Sequence, residues 1–283
     1  MVQRYACKQC GKTFSQEQPL QGMRVDFEKA CQVVHLLVEG MGIRAIQRFT
    51  GLHQETILSI LEGAGQKAAS FSDAKVCNLK PKLVQAEEMH CFVQCRQQNN
   101  IHNIEDIGEQ FMFLAVDRDS KLIISSLIGR RTRENADCFM GDLRKRTITR
   151  FQLTTDNWKT YSGYGESSVM VAFGRDIDYA TEKKIFAQPI PYLPRRVTSI
   201  RRKARIGNPD MKQATINHCE RTNLSVRLFT KRFTRCTLGY SKKIENLRHA
   251  AALFIWHFNF VRVHSAHKQT PAMAAGLFER PDH

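Results

Sequence analysis

The sequence predicts an α/β protein: a mixed sheet flanked by helices, preceded by a small all-helical unit. Three observations predict it. Between 26 and 65 apolar residues recur at spacings of three and four, as on one buried helix face. From 83 to 129 the pattern changes to strand-like runs broken by turn residues. Beyond that, helix, short strand and late helices follow in the same continuous stretch, the order of a single sheet covered by helices.

Taken in order, QRYACKQCGKTF opens the chain. Cys7 and Cys10, two residues apart and followed by Gly-Lys, form a knuckle suited to hold Zn²⁺ between two thiolates. Tetrahedral zinc needs four ligands, so residues 1–20 read as half of a zinc ribbon, as if truncated at its start. A helical unit is expected over 24–66. Phe27, Ala30, Cys31, Val34, Leu37 and Val38 make one buried face, with Asp26 as N-cap. A short helix from Ile43 to Phe49, a turn at Thr50-Gly51-Leu52 and a second helix from Gln54 to Glu62 follow. That is the layout of a helix-turn-helix, whose second helix can lie in the major groove of DNA. His53, Gln54, Glu55 and Ser59 fall at its leading edge, and Arg44 lies on the helix before.

Residues 67–82 lose periodicity and read as a linker. The sheet domain is expected over 83–266. Its strands are 83–93 and two within 110–129 joined at Arg118-Asp119-Ser120, with a long polar loop, 97–108, between. A helix over 133–145 and a strand FQLTTD over 151–156 come next, then a helix-like stretch and a strand up to Phe186. Residues 187–216 read as an irregular basic insert. Within it RRVTSIRRKAR carries six basic residues in eleven and no acid, a composition suited to phosphate. From 218 to 263 the chain reads as helical, and 267–283 as a tail.

Composition limits the function. The 283 residues carry 43 Lys and Arg against 27 Asp and Glu, a net charge of +16, which points to a polyanionic partner. The longest apolar runs, such as Ala250 to Trp256, are far shorter than the roughly 20 residues a membrane span needs. The start of the chain lacks the apolar core of a signal peptide. Nine scattered cysteines argue for a reduced, cytoplasmic protein rather than a disulfide framework.

The element order suits a ribonuclease-H-like fold. Phosphoryl-transfer enzymes of that fold group acids from the first strand, the end of the fourth and a late helix, and such acids can hold two Mg²⁺ ions. By position Asp156 ends the short strand and Glu220 begins a basic helix. Glu220, Asn223, Arg227 and Lys231 share a face of it by spacing. On the first strand Glu87 and Glu88 are adjacent and point to opposite faces, so one of them is the candidate. Asp117 is a further option, or else the start of its turn.

Eight segments in order carry a resemblance: QRYACKQCGKTF, GIRAIQRFTGLHQETIL, AEEMHCFV, LAVDRDSKLI, TTDNWKTY, NHCERTNLSVR, SKKIENLRHA and FNFVRVHSAHKQTPAMAAG. Together they resemble transposases of the insertion sequence one family, in the longer form with an insert before the last acid. The resemblance covers nearly the whole chain. It implies a DDE-type enzyme with Glu87, Asp156 and Glu220 as catalytic acids and ligands of Mg²⁺, Mn²⁺ being able to substitute. It implies DNA contacts by the helix-turn-helix and by Asn223, Arg227, Lys231 and Arg235. The implied partners are the double-stranded ends of the element, target DNA and further copies of the chain on paired ends, in the cytoplasm at the nucleoid. Three positions depart from the family pattern: Glu87 stands where Asp is usual, Asn157 where Gly commonly follows the second acid, and the zinc ribbon is half present. A catalytically impaired relative that only binds DNA is the alternative.

Overall fold

The computed structural model describes residues 4–15, 25–163, 165–188, 196–235, 237–265 and 268–281. A two-stranded hairpin, β1 (Arg4–Ala6) and β2 (Thr13–Ser15), comes first. Three helices follow: α1 (Phe27–Val38), α2 (Ile43–Thr50) and α3 (Gln54–Lys75). The body contains β3 (Leu83–Val93), β4 (Gly108–Asp117), β5 (Ile123–Gly129), α4 (Arg133–Arg146), β6 (Gln152–Thr155), α5 (Lys159–Ser162) and α6 (Ser168–Phe173). It continues through β7 (Asp178–Phe186), β8 (Val197–Ile206), α7 (Asn217–Phe229), α8 (Ile244–Trp256) and α9 (Pro271–Ala274).

The six body strands form one mixed sheet in the order β5-β4-β3-β6-β7-β8. The pairs β3/β6 and β6/β7 are parallel and the others antiparallel. Alternation along β3 and β4 sends their side chains to two cores. Val84, Ala86, Phe113 and Ala115 pack with Phe139, Met140 and Leu143 of α4 on one face. Met89, Cys91, Met112 and Leu114 pack with Val226 of α7 and Leu247, Ala251 and Phe254 of α8 on the other. The sheet is therefore flanked by helices, as the sequence predicts.

In the helical unit Asp26 caps α1, its carboxylate accepting from the Lys29 N–H at 3.3 Å. Ala30, Val33, Ile46, Ile57 and Ile60 close a core of their own. Helix α2 stops at Gly51, whose φ of +71° is readily reached only without a Cβ.

Three expectations are corrected. First, most of the expected linker 67–82 is helix, because α3 runs unbroken to Lys75. Its buried stripe continues as small residues, Gly65 and Ala68, that admit α8 at close range. A periodicity of large apolar residues does not reveal such a stripe. Phe71 then meets Phe260 edge-on at 5.1 Å, and Asp73 pairs with Arg146 of α4. Second, the expected irregular insert contains β8, an exposed ten-residue strand paired antiparallel with β7. Its alternation is hidden because both faces carry cations. Third, α7 ends at Phe229, so Lys231 lies beyond it in a tight turn rather than on the face of Glu220. Asp117 takes the turn role, accepting from the Ser120 N–H at 3.1 Å. The segment expected as a tail is docked: Pro271 and Ala272 are buried, and Phe278 stacks near Phe71 and Phe260.

Gly65 is where α3 and α8 meet most closely. A Cβ there falls 2.6 Å from His249 Cβ and 2.7 Å from its Cα and O. Helix propensity alone predicts that Gly65→Ala gains about 1 kcal/mol. The contact predicts the opposite sign, a loss of about 1–3 kcal/mol, readable from the urea midpoint of the full chain.

Candidate active site at the end of the central parallel strands

Strand β6 has only four residues and its neighbour β3 has eleven. The register sets Ala86 opposite Thr155, so Glu87 and Glu88 lie on β3 just where β6 stops and Asp156 leaves the sheet. Crevices beyond the carboxyl ends of parallel strands are where open α/β sheets place their ligands. Glu87 points to the α7 side and Glu88 to the α4 side. Both nonetheless feel Asp156, which sits at the open end between the two faces. Helix α7 brings Glu220 from above. Its start is fixed by Gln85, whose Oε1 accepts from the N–H groups of His218 at 2.9 Å and Cys219 at 3.1 Å.

The structure thus gathers the three sequence-predicted acids, Glu87, Asp156 and Glu220, with Glu88 as a fourth. Burial first, then the charges of Glu220, Asp156 and Glu88, push the Glu87 carboxyl up to about 8. Burial and Asp156 push Glu88 to about 7. Asn223, itself buried, donates from Nδ2 to Glu87 Oε2 at 2.9 Å. It is a site residue more than a surface contact.

Two cations that the sequence reading did not single out answer these acids. Arg131 donates to Glu88 and to Asp156, each at 3.0 Å, and its guanidinium lies 4.4 Å from the centre of the Trp158 ring. Lys184 of β7 pairs with Glu220. The only sequence signal for Arg131 is the Arg130-Arg131 pair directly after a strand; nothing flags Lys184. Asp156 also accepts from the Trp158 N–H at 3.0 Å, which turns the chain away from the sheet. Asn157 accepts from Arg205 of β8 at 2.6 Å and so ties the basic edge strand to the site.

A cation-binding role rests on the donor chemistry. Asn223 Oδ1 is a buried acceptor without a hydrogen-bond partner, and the acids beside it offer only oxygen, the donor set of Mg²⁺. As arranged, no group of three or more His, Cys, Asp or Glu among the described residues lies close enough to hold one ion. Arg131 and Lys184 hold Asp156 and Glu220 instead.

The other predicted residues lie elsewhere. Arg44, His53 and Ser59 are exposed on the helical unit. His53 is the N-cap of α3, and Gln54 donates to Gln47 of α2 at 2.9 Å. Arg227 is half-buried and donates to the carbonyls of Phe233 and His90, bracing the end of α7. Arg235 is exposed. Cys7 is half-buried and Cys10 exposed in the β1–β2 turn, where the backbone N–H of Cys10 and then of Gln9 hold the Cys7 thiol below its usual value.

No helix among the described residues is long and apolar enough to cross a membrane. No family model matches the chain, and no curated protein matches it at a significant level.

The carboxylate cluster gives stability a defined pH dependence. Glu87 and Glu88 have folded values raised above the unfolded one, so the folded state binds the extra protons. Their contribution is complete below about 4.5 and is lost as pH rises through about 7 to 8. Unfolding free energy is expected to fall between pH 5.5 and 8.5. Glu87→Gln is expected to flatten that fall by roughly 1–3 kcal/mol, measured by denaturant titration at both pH values.

Proposed function

We propose that this chain is a DDE-type transposase of the insertion sequence one family, which binds the duplex ends of its element and cuts and joins them. The observation that carries the reading is the meeting of Glu87, Asp156 and Glu220 from β3, the end of β6 and α7. Those elements are far apart in sequence; Asp156 and Glu220 are candidates by position, and Glu87 is the one the resemblance implies. The six-stranded mixed sheet flanked by helices is compatible with a ribonuclease-H-like core. Helices α2 and α3, joined by a three-residue turn with Arg44, His53 and Ser59 exposed, support a helix-turn-helix. Cys7 and Cys10 support a zinc half-site.

Once Arg131 and Lys184 release Asp156 and Glu220 and the three acids close up, Glu87, Asp156 and Glu220 would hold Mg²⁺, which would supply charge stabilisation for attack on a phosphodiester. The protein's own groups do the rest. Asn223 orients Glu87. Arg131, stacked on Trp158, orients Asp156 and offsets the charge of four acids. Lys184 does the same at Glu220, so an anionic backbone can approach. The exposed cations of β8 line the neighbouring sheet edge, where they can attract a phosphate backbone.

A second reading, DNA binding without catalysis, is favoured by one observation: Arg131 and Lys184 already occupy the carboxylates that the metal needs. Cleavage and strand transfer on duplexes carrying the element's flanking repeats, in Mg²⁺ and then Mn²⁺, decide between them. For the transposase, Asp156→Ala lowers both activities by at least about 10²-fold with DNA binding retained. Binding without cleavage, with activity appearing in Glu87→Asp, establishes the second reading. An active chain unaffected by Asp156→Ala removes the site assignment. Independently of activity, Mg²⁺ is expected to raise the thermal midpoint of the wild type at pH 8 and not that of Asp156→Ala.

A further inference from the structure

Between α2 and the segment that follows α7 lies a groove of about 560 Å³. Five cations line it: Arg44 and Arg48 from α2, and Lys231, Arg232 and Lys242 from the body. No Asp or Glu among the described residues lines it. Arg232 is the unusual member. Its Nη1 donates to Ser241 Oγ at 2.8 Å, while its Nη2 is buried without a partner. Thr230 Oγ1, also on the groove, is buried and unpartnered as well. Burial alone pushes the Arg232 guanidinium down to about 10, and no carboxylate compensates it.

Arg232 is half-buried as a whole, but its Nη2 is shut off from water with no counter-ion, which is unfavourable, and a buried hydroxyl without a partner adds to that. Both costs would be relieved by an oxyanion with several acceptor oxygens once small side-chain shifts open these two groups to the groove; a forked guanidinium grips such a group well. We propose that this groove binds a phosphate group, held by Arg232 and Thr230 and flanked by Lys231, Lys242 and the α2 arginines. The group comes from a duplex backbone or from a free phosphorylated molecule. The backbone version rests on the DNA-binding reading above and deepens it: one phosphate is shared by the helical unit and the body, away from the carboxylate cluster.

The test uses the full chain, a fluorescein-labelled duplex and inorganic phosphate as probes. Thr230→Val removes an unpartnered hydroxyl and Lys242→Gln alters an exposed side chain, so both keep the fold. Arg232→Lys keeps the charge and loses the fork. If the phosphate is a backbone one, Thr230→Val and Arg232→Lys weaken duplex binding about tenfold each. Lys242→Gln then lowers the slope of log K against log salt by about 1. A merely structural Thr230 leaves binding unchanged while the thermal midpoint holds or rises. If the source is a free phosphate, inorganic phosphate raises the midpoint of the wild type and not of Arg232→Lys, with duplex binding unaltered. Wild-type duplex binding with all three variants equal to it, and no phosphate effect on the midpoint, overturns the proposal alone. Absence of duplex binding by the wild type removes the transposase reading, and the phosphate titration still decides the groove.

Discussion

The pairing of a long central strand with a very short one sets the conditions for the rest of the molecule. Strand β6 is buried along all four of its residues and stops beside Ala86, the fourth residue of β3, while β3 continues for seven residues more. The notch this leaves is walled by β3, β7 and α7; acids from β3, the end of β6 and α7 share it with Lys184 of β7. Burial first, and then repulsion between the like charges, raises Glu87 and Glu88 there. Arg131 and Lys184 are the answer in this state. Arg131 is itself fixed from behind by Trp158, which packs edge-on against Tyr161 at 4.9 Å. Tyr161 is fully buried below Glu88, and its phenol is pushed far above its usual value by burial and by the Glu88 charge. The electrostatics of the notch therefore extend into the α4-side core.

The same geometry links the notch to the helical unit. Helix α7 carries Glu220 near its start and Thr230 at its end, and a helix of 13 residues is about 20 Å long. One rigid rod thus joins the carboxylates to the cationic groove. The other wall of the groove is α2, held to the body by α3 through its close crossing of α8 at Gly65. The helical unit is consequently packed on the body along a shared core of Val38, Leu61, Ala68, Ala250 and Leu253 rather than hung from a linker. A ligand spanning α2 and the 230–242 segment would meet two surfaces already in register, so little ordering is required on binding.

How much of this was legible in the sequence depends on which physical signal each element leaves. Helices α1, α2 and the start of α3 are readable because large apolar residues recur at helical spacing and Asp26 caps the first. Strands β3 to β5 are readable because β-branched and aromatic runs are cut by turn residues. Asp156 and Glu220 are readable because each sits where an element begins or ends. The second half of α3 is hidden because its packing stripe is made of Gly and Ala. Strand β8 is hidden because its exposed residues carry charge on both faces. Arg131 and Lys184 are hidden because a cation that matters only through its spatial partner leaves no periodic trace. The groove is hidden for a further reason: Arg232 and Thr230 become unusual only when burial removes their water.

Geometry also constrains the length of the side chain at position 87. Asn223 of α7 donates to Glu87 Oε2 at 2.9 Å, a bond that crosses from the sheet to the helix above it. Aspartate at this position is one methylene shorter, about 1.5 Å, and from an unmoved β3 it falls outside hydrogen-bond range of Asn223. Asn223 is buried, its Oδ1 already has no partner, and loss of the Glu87 contact would leave the whole amide unsatisfied. Glutamate is therefore matched to the distance between β3 and α7 in this chain. A carboxylate whose length is matched to its orienting partner is held as a working ligand or acid is held.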